Sequence, residues 1–153
     1  MIEYNTLERR RHVENEKHYD LRQELAQATD LDYFLEANEQ TFQLEPIPDL
    51  LNRLVAEKNI QKANLARNSG MSEVYLHQVF SGRRNPSRSR IISLCFGLGL
   101  NLEESQELLR RSGYAELYPH NRRDAILIYG LIHEMNFFEI NDRLFEKGEE
   151  TLC

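Results

Sequence analysis

The chain has 153 residues, of which 41% are apolar and 29% charged, and its formal net charge is −6. This size and composition fit one domain, or one small domain with an extension, around a single apolar core, and they argue against wholesale disorder. No apolar run reaches the roughly 18 residues of a membrane-spanning helix, and the N-terminus lacks the apolar segment of a secretory signal. The two cysteines, Cys95 and Cys153, have no metal-site spacing. We therefore expect a cytoplasmic protein that does not enter the membrane.

The acidity is concentrated at the two ends of the sequence. Counting Lys and Arg against Asp and Glu, residues 1–47 carry −6, residues 48–100 carry +5 and residues 101–153 carry −5. A basic middle third between acidic flanks indicates that the net charge of the whole chain is a poor guide to its partners. The middle third is where an anionic partner would bind.

Residues 1–47 are predicted to form an acidic helical extension. Thr29 or Asp30 is a candidate N-cap for a short helix that places Leu31, Phe34 and Leu35 on one face. Pro46 and Pro48 exclude a continuous helix and mark the boundary with the next segment.

Residues 48–113 are predicted to form five short helices, because helix caps and glycines recur at regular intervals. Ser72, Ser87 and Asn101 are candidate N-caps, and Glu104 completes a capping box with Asn101. Glycines that accept a left-handed conformation end successive helices at Gly70, Gly82 and Gly113.

The sequence repeats itself at a spacing of 35 residues. Residues 90–113 align with residues 125–148, and the identical positions include Asn101, Glu104, Leu109 and Gly113, which match Asn136, Glu139, Leu144 and Gly148. The match fits a true duplication and fits equally the common pattern of two helical hairpins. In either case residues 114–153 are predicted to form a C-terminal helical hairpin, with Asn121 or Asp124 near the start of its first helix.

The segment from Ala66 to Gly82 has the pattern of two helices joined by a tight turn. Two helices that cross steeply need a small residue facing the turn, which is Ala66, and a backbone with positive φ in the turn, which Gly70 supplies. Apolar residues must hold the second helix on the first, and four fall at the required positions: Leu65, Met71, Leu76 and Val79.

This segment resembles the phage-repressor and Cro-type helix-turn-helix, the XRE family. The resemblance is carried by "IQKANLARNSGMSEVYLHQVFSGRRNPSRSRIISLCFGL", and it spans about residues 48–113. It implies an all-α, five-helix, lambda-repressor-like DNA-binding domain in a bacterial or phage-derived regulator. Lys62 stands where the family usually has Gln.

The resemblance also implies roles for individual residues. Residues at the start of the recognition helix, about 72–81, contact base edges in the family, and here these are Ser72, Glu73, Val74, His77 and Gln78. The expected phosphate contacts are Lys62, Arg83, Arg84, Asn85 and Arg88.

The sequence therefore predicts a sequence-specific DNA-binding transcriptional regulator that binds double-stranded DNA as a homodimer. No pattern of a catalytic, cofactor or metal site occurs, so we expect no enzyme activity and no cofactor. The alternative is a protein-interaction adaptor or antitoxin-like protein, in which the acidic flanks bind a protein partner and the helix-turn-helix is regulated or repurposed. The aromatic segment Met135–Lys147 is the candidate docking surface, unless Phe137, Phe138 and Phe145 only close the C-terminal hairpin.

Overall fold

The computed structural model describes residues 21–42 and 45–153. Over these two ranges the protein is all-helical and has no strand, which confirms the predicted fold class. Internal contacts divide the chain between residues 44 and 45 into two units. The helical segment expected before residue 21 lies outside the described residues.

The described part of the first unit is helical, as the sequence predicts. Helix α1 covers residues 21–27, α2 covers Leu31–Ala37, and a 3₁₀ helix covers Glu39–Phe42. Asp30 is the N-cap of α2, because its carboxylate accepts a hydrogen bond from the backbone N–H of Asp32 at 3.1 Å. Only Phe34 of the predicted apolar face is buried, whereas Leu31 and Leu35 are exposed.

The second unit contains seven helices in the order that the sequence predicts: α3 (Ile47–Glu57), α4 (Lys62–Asn68), α5 (Glu73–Phe80), α6 (Arg88–Gly97), α7 (Leu102–Arg111), α8 (Arg122–Ile132) and α9 (Phe137–Glu146). Pro48 lies in the first turn of α3, where its missing N–H costs no helical hydrogen bond. The first five are the five helices expected over residues 48–113, and the last two are the pair expected in residues 114–153.

The helices begin at the predicted caps. Ser72 accepts from the backbone of Tyr75, and Ser87 accepts from the backbone of Arg90. Asn101 and Glu104 form the complete capping box. Asn121, rather than Asp124, caps α8. Each cap satisfies a backbone N–H that would otherwise have no partner in the first turn.

Helix α6 lies at the centre of the core. Every residue from Ile91 to Gly97 is buried, and the helix packs against α4, α7 and α9. The helix-turn-helix and the C-terminal hairpin therefore share one core, and residues 45–153 form one compact unit.

The turns of the hairpins α6–α7 and α8–α9 have the same geometry at positions 35 residues apart. Gly99 and Glu134 both have positive φ, +65° and +54°. The residue after each donates its backbone N–H across the turn: Leu100 to Cys95 at 3.0 Å, and Met135 to Gly130 at 2.9 Å. The two helical hairpins therefore turn with the same backbone hydrogen bond.

The two hairpins also form equivalent side-chain hydrogen bonds to the segments that follow them. The Arg88 Nε donates to the carbonyl of Ala115 at 3.0 Å, and the Arg123 Nε donates to the carbonyl of Glu150 at 2.8 Å. Each arginine thus holds the extended segment that follows its hairpin. The second helix of each hairpin also holds this segment through a side-chain amide. Gln106 of α7 accepts a hydrogen bond from the backbone N–H of Leu117, and Asn141 of α9 accepts one from that of Leu152.

Candidate nucleic-acid interface

The turn between α4 and α5 has the geometry that the sequence predicts. Ala66 is buried where the helices cross, and the backbone of Met71 donates to its carbonyl at 2.9 Å. Gly70 has a φ of +64°. The four apolar residues expected to hold α5 on α4 are all buried: Leu65, Met71, Leu76 and Val79. One side of α5 is therefore packed against α4, and the other side stays exposed.

Gly70 has a second role, which the sequence analysis did not identify. A Cβ atom at this position would meet the ring of Phe137, at 2.5 Å from its Cζ. Phe137 is buried and belongs to the first turn of α9. The C-terminal hairpin therefore packs directly against the turn that sets the angle of α5.

Six of the predicted DNA contacts line one exposed cleft of about 430 Å³. Its lining residues include four base-contact candidates and two phosphate candidates: Glu73, Val74, His77, Gln78, Lys62 and Arg83. The aliphatic stem of Lys62 places its Nζ 5.0 Å from the centre of the Phe80 ring. The cleft thus combines the exposed side of α5 with two cations, Lys62 and Arg83.

The basic loop is tied to the end of α5. The backbone carbonyl of Gln78 accepts hydrogen bonds from the backbones of Arg83 and Arg84, at 2.9 and 3.2 Å. The Ser81 hydroxyl donates to the same carbonyl at 3.2 Å. The loop and α5 therefore present their side chains as one rigid element.

Two predicted site residues, Ser72 and Asn85, lie outside the cleft. The hydroxyl of Ser72 accepts from the backbone of Tyr75 at 3.1 Å, so its first hydrogen bond is the cap of α5. Asn85 is exposed in the loop. Neither is among the residues that line the cleft.

Tyr75 is a residue that the sequence analysis missed. Its ring lies beneath two guanidinium groups, at 5.8 Å from that of Arg84 and 5.1 Å from that of Arg90. A ring shared by two cations orients both of them. Arg90 therefore joins Arg84 next to α5, and no local sequence pattern connects positions 75, 84 and 90.

Arg88 is not brought to this surface. Its guanidinium forms two hydrogen bonds with the buried carboxylate of Asp124, at 3.2 and 3.1 Å. It also donates to the backbone carbonyls of Ala115 and Glu116. The physical reason is that α8 supplies a buried acid, and the segment between α7 and α8 supplies two backbone carbonyls. Arg88 joins the helix-turn-helix domain to α8, and we do not include it among the phosphate contacts proposed below.

The cations of residues 48–100 separate into two groups. Three form ion pairs with carboxylates: Arg53 with Glu45, Lys58 with Glu104, and Arg88 with Asp124. The other five form no ion pair with any described residue: Lys62, Arg67, Arg83, Arg84 and Arg90. All of these except Arg67 lie at the cleft or on Tyr75. Within residues 48–100, the cations without an ion pair are therefore concentrated around α5.

The described residues show no group of three or more His, Cys, Asp or Glu side chains that could hold a metal ion. Burial raises the pKa of the Cys95 thiol to about 12, so this cysteine is protonated at neutral pH. Cys153 is exposed. Across residues 21–42 and 45–153, every helix is too short or too polar to cross a membrane.

The aromatic segment Met135–Lys147 divides into buried and exposed parts. Phe137 closes the hairpin and is buried, whereas Phe138 and Phe145 are 55% and 78% exposed. Closure of the hairpin therefore fits Phe137 alone, and docking through Phe138 and Phe145 stays a prediction.

Comparison with known proteins supports the helix-turn-helix. A family model described as a helix-turn-helix domain matches residues 49–108, from α3 into α7. A search of curated proteins and a search of solved structures each found no match. The chain carries a helix-turn-helix domain, which is the kind of domain that DNA-binding regulators use in general.

Proposed function

We propose that the protein is a sequence-specific DNA-binding transcriptional regulator of the phage-repressor type, which places α5 in the major groove. The observation that carries this proposal is the concentration of free cations around α5. Lys62 and Arg83 lie in the cleft, and Arg84 and Arg90 share the Tyr75 ring. A phosphate backbone that flanks a helix in the groove meets positive charge at these positions.

The exposed side of α5 offers chemistry suited to base edges. A Gln at position 78 can pair with adenine, and Glu73 can accept from the amino group of cytosine. Val74, which is exposed, can contact a thymine methyl group. His77 lies beside them in the cleft. An acid on this side disfavours non-specific contact with phosphate, so Glu73 favours sequences that offer it a donor.

Phosphate binding is assigned to cations that the protein itself does not neutralise. These are Lys62, Arg83 and Arg84, with Asn85 as a neutral contact from the loop and Arg90 as an addition from the structure. Because the loop is hydrogen-bonded to Gln78, a phosphate contact there also fixes the register of α5 on the bases.

We further propose that the protein binds as a homodimer. One short recognition helix contacts only a few base pairs, so useful specificity requires a second copy. The half-sites of a pseudo-palindrome then lie roughly 34 Å apart, one turn of DNA.

The test is selection of bound fragments from a random DNA pool at about 150 mM salt, the ionic strength at which screening is physiological. The full chain is compared with Arg83→Glu/Arg84→Glu, which reverses two loop charges on an exposed segment. Arg53→Glu is the control, because Arg53 is an exposed cation that forms an ion pair with Glu45 and does not line the cleft.

A sequence motif recovered with the wild type and the control, and lost with the loop variant, is the expected result. Equal recovery by the loop variant would remove the loop from the interface. A folded wild type that enriches no sequence would contradict the proposal and favour the protein-interaction adaptor.

A further inference from the structure

The basic loop between α5 and α6 is held at both of its ends. At the first end, the backbone N–H groups of Arg83 and Arg84 donate to the carbonyl of Gln78. At the far end, Pro86 is buried, and its carbonyl accepts a hydrogen bond from the hydroxyl of Tyr114 at 2.6 Å. The two arginines therefore belong to a segment whose backbone is held on both sides.

Tyr114 reaches the loop from a different part of the chain. It is 28 residues from Pro86 in the sequence, in the segment between α7 and α8, and it follows the residues 49–108 that match the helix-turn-helix family. Its ring is partly buried and packs against the core. The hydroxyl is therefore offered to the loop by a side chain that is itself held in place.

The end of the loop and the segment after α7 exchange hydrogen bonds in both directions. Tyr114 donates to Pro86, and Arg88, the first residue of α6, donates to the backbone carbonyls of Ala115 and Glu116 at 3.0 and 3.1 Å. Each segment thus supplies a side-chain donor to the backbone of the other. Three hydrogen bonds between two short segments fix the position of the loop end.

The second hairpin indicates that the tyrosine is not needed to hold the segment itself. In both hairpins an arginine and a side-chain amide bind the segment that follows: Arg88 and Gln106 in the first, Arg123 and Asn141 in the second. At the spacing of 35 residues, Glu149 takes the position of Tyr114, and its carboxylate accepts from Arg122 at 2.8 Å. A hydroxyl donor is present only in the hairpin that follows the basic loop, so we attribute its hydrogen bond to the loop.

An ordered loop matters for phosphate binding because a mobile loop must be ordered when it binds, and this costs conformational entropy. Arg83, Arg84 and Asn85 are the proposed phosphate contacts of the loop, and all three are exposed. Asn85 directly precedes Pro86, so the hydrogen bond from Tyr114 acts next to these contacts. Without it, DNA would have to supply the order that the protein supplies now.

We propose that Tyr114 is a positioning residue for DNA binding, whose hydroxyl holds the carbonyl of Pro86 and so orders the basic loop before it meets phosphate. This inference rests on the proposed function, since it concerns phosphate contacts of the same surface. It gives the segment between α7 and α8 a part in DNA binding, although this segment lies outside the residues that match the family.

The first test removes the hydroxyl alone and needs no DNA. Tyr114→Phe keeps the ring and loses the hydrogen bond. In ¹⁵N relaxation of the free, full chain, the backbone order parameters of Arg84 and Asn85 should fall from about 0.85, the value of a rigid backbone, toward about 0.6. Tyr118→Phe is the matched control, because it removes a hydroxyl from the same segment on a residue that is 59% exposed. It should leave both order parameters unchanged.

The second test measures the dissociation constant for the selected DNA site, at the salt concentration of the selection. Tyr114→Phe should weaken binding by a factor of about 3 to 10, because binding must then supply the order that one hydrogen bond supplied. The same change should have no effect in the Arg83→Ala/Arg84→Ala background, where the loop has lost its charged contacts. Tyr118→Phe should bind as the wild type does. Circular dichroism verifies that each variant is folded.

A less ordered loop, together with a loss of affinity that requires the two loop arginines, supports the inference. Unchanged order parameters in Tyr114→Phe overturn it. It is also overturned if the affinity of Tyr114→Phe equals that of the wild type, or if the loss persists in full without the arginines; the proposed function stands in these cases. A wild type that enriches no DNA sequence contradicts the proposed function and this inference together.

Discussion

Replacing Gly70 with alanine tests whether the C-terminal hairpin supports the helix-turn-helix. The substitution has two costs. An alanine at a φ of +64° is strained by about 1–2 kcal/mol. Its Cβ also needs space that the Phe137 ring occupies, and overpacking of this kind costs about 1–3 kcal/mol. We expect a total loss of about 2–5 kcal/mol in the free energy of unfolding.

Gly113→Ala is the matched control. Gly113 has a φ of +80°, but a Cβ there meets no atom within 4 Å. It should therefore show the backbone cost alone, about 1–2 kcal/mol. Urea unfolding of the full chain, followed by circular dichroism, measures both variants. The difference between them isolates the contact with Phe137.

Phe137→Leu completes a double-mutant cycle with Gly70→Ala. Removal of the ring should lower the cost of the alanine toward that at Gly113, and the coupling between the two positions should exceed 0.5 kcal/mol, roughly the least that contacting residues show. Equal losses for Gly70→Ala and Gly113→Ala, with no coupling to Phe137, would refute the packing of α9 against the turn.

Three further changes have separate measurements. Arg88→Ala leaves the buried Asp124 carboxylate without its guanidinium, and should lower the free energy of unfolding by about 1.5–3 kcal/mol in urea titrations, the range for hydrogen bonds to a charged group. Gln78→Ala should weaken preference for one base by about 1–3 kcal/mol, measured over a set of single-base variants of the selected site. At pH 8 a thiol reagent should modify the exposed Cys153 rapidly and the buried Cys95 only on unfolding. Because burial raises the pKa of Cys95 in the folded chain, its thiol ionises at lower pH in the unfolded chain. The free energy of unfolding should therefore fall as the pH rises above 9.

The sequence predicted most of the local structure, because caps and turns depend on neighbouring residues. Ser72, Ser87 and Asn101 cap the helices that they were expected to cap. A short polar side chain at such a position bonds to a backbone N–H two or three residues later, and this requires no knowledge of the tertiary fold. The positive φ of Gly70 was predicted for the same reason.

The contacts that were missed join residues distant in sequence. Arg88 is the first residue of α6 and follows a loop that contains Arg83 and Arg84, so its local context suits a phosphate contact. Its partner Asp124 is 36 residues away in another helix. The repeat held a clue, because extending the alignment by two residues places Arg88 opposite Arg123. No sequence pattern predicts the contact of Phe137 with Gly70, or that of Tyr75 with Arg84 and Arg90.

The salt dependence of DNA binding tests the division of the cations of residues 48–100 into those with and those without an ion pair. Lys62, Arg83, Arg84 and Arg90 are the free cations around α5, and each neutralised phosphate contributes about −0.9 to the slope of log affinity against log salt concentration. We expect a slope no steeper than about −3.6 per bound copy, because four contacts set the limit. Arg83→Ala should reduce its magnitude by about 1, whereas Arg88→Ala should leave it unchanged at a temperature where the variant stays folded. If both variants changed the slope equally, Arg88 would face phosphate, and its ion pair with Asp124 could not describe the DNA-bound protein.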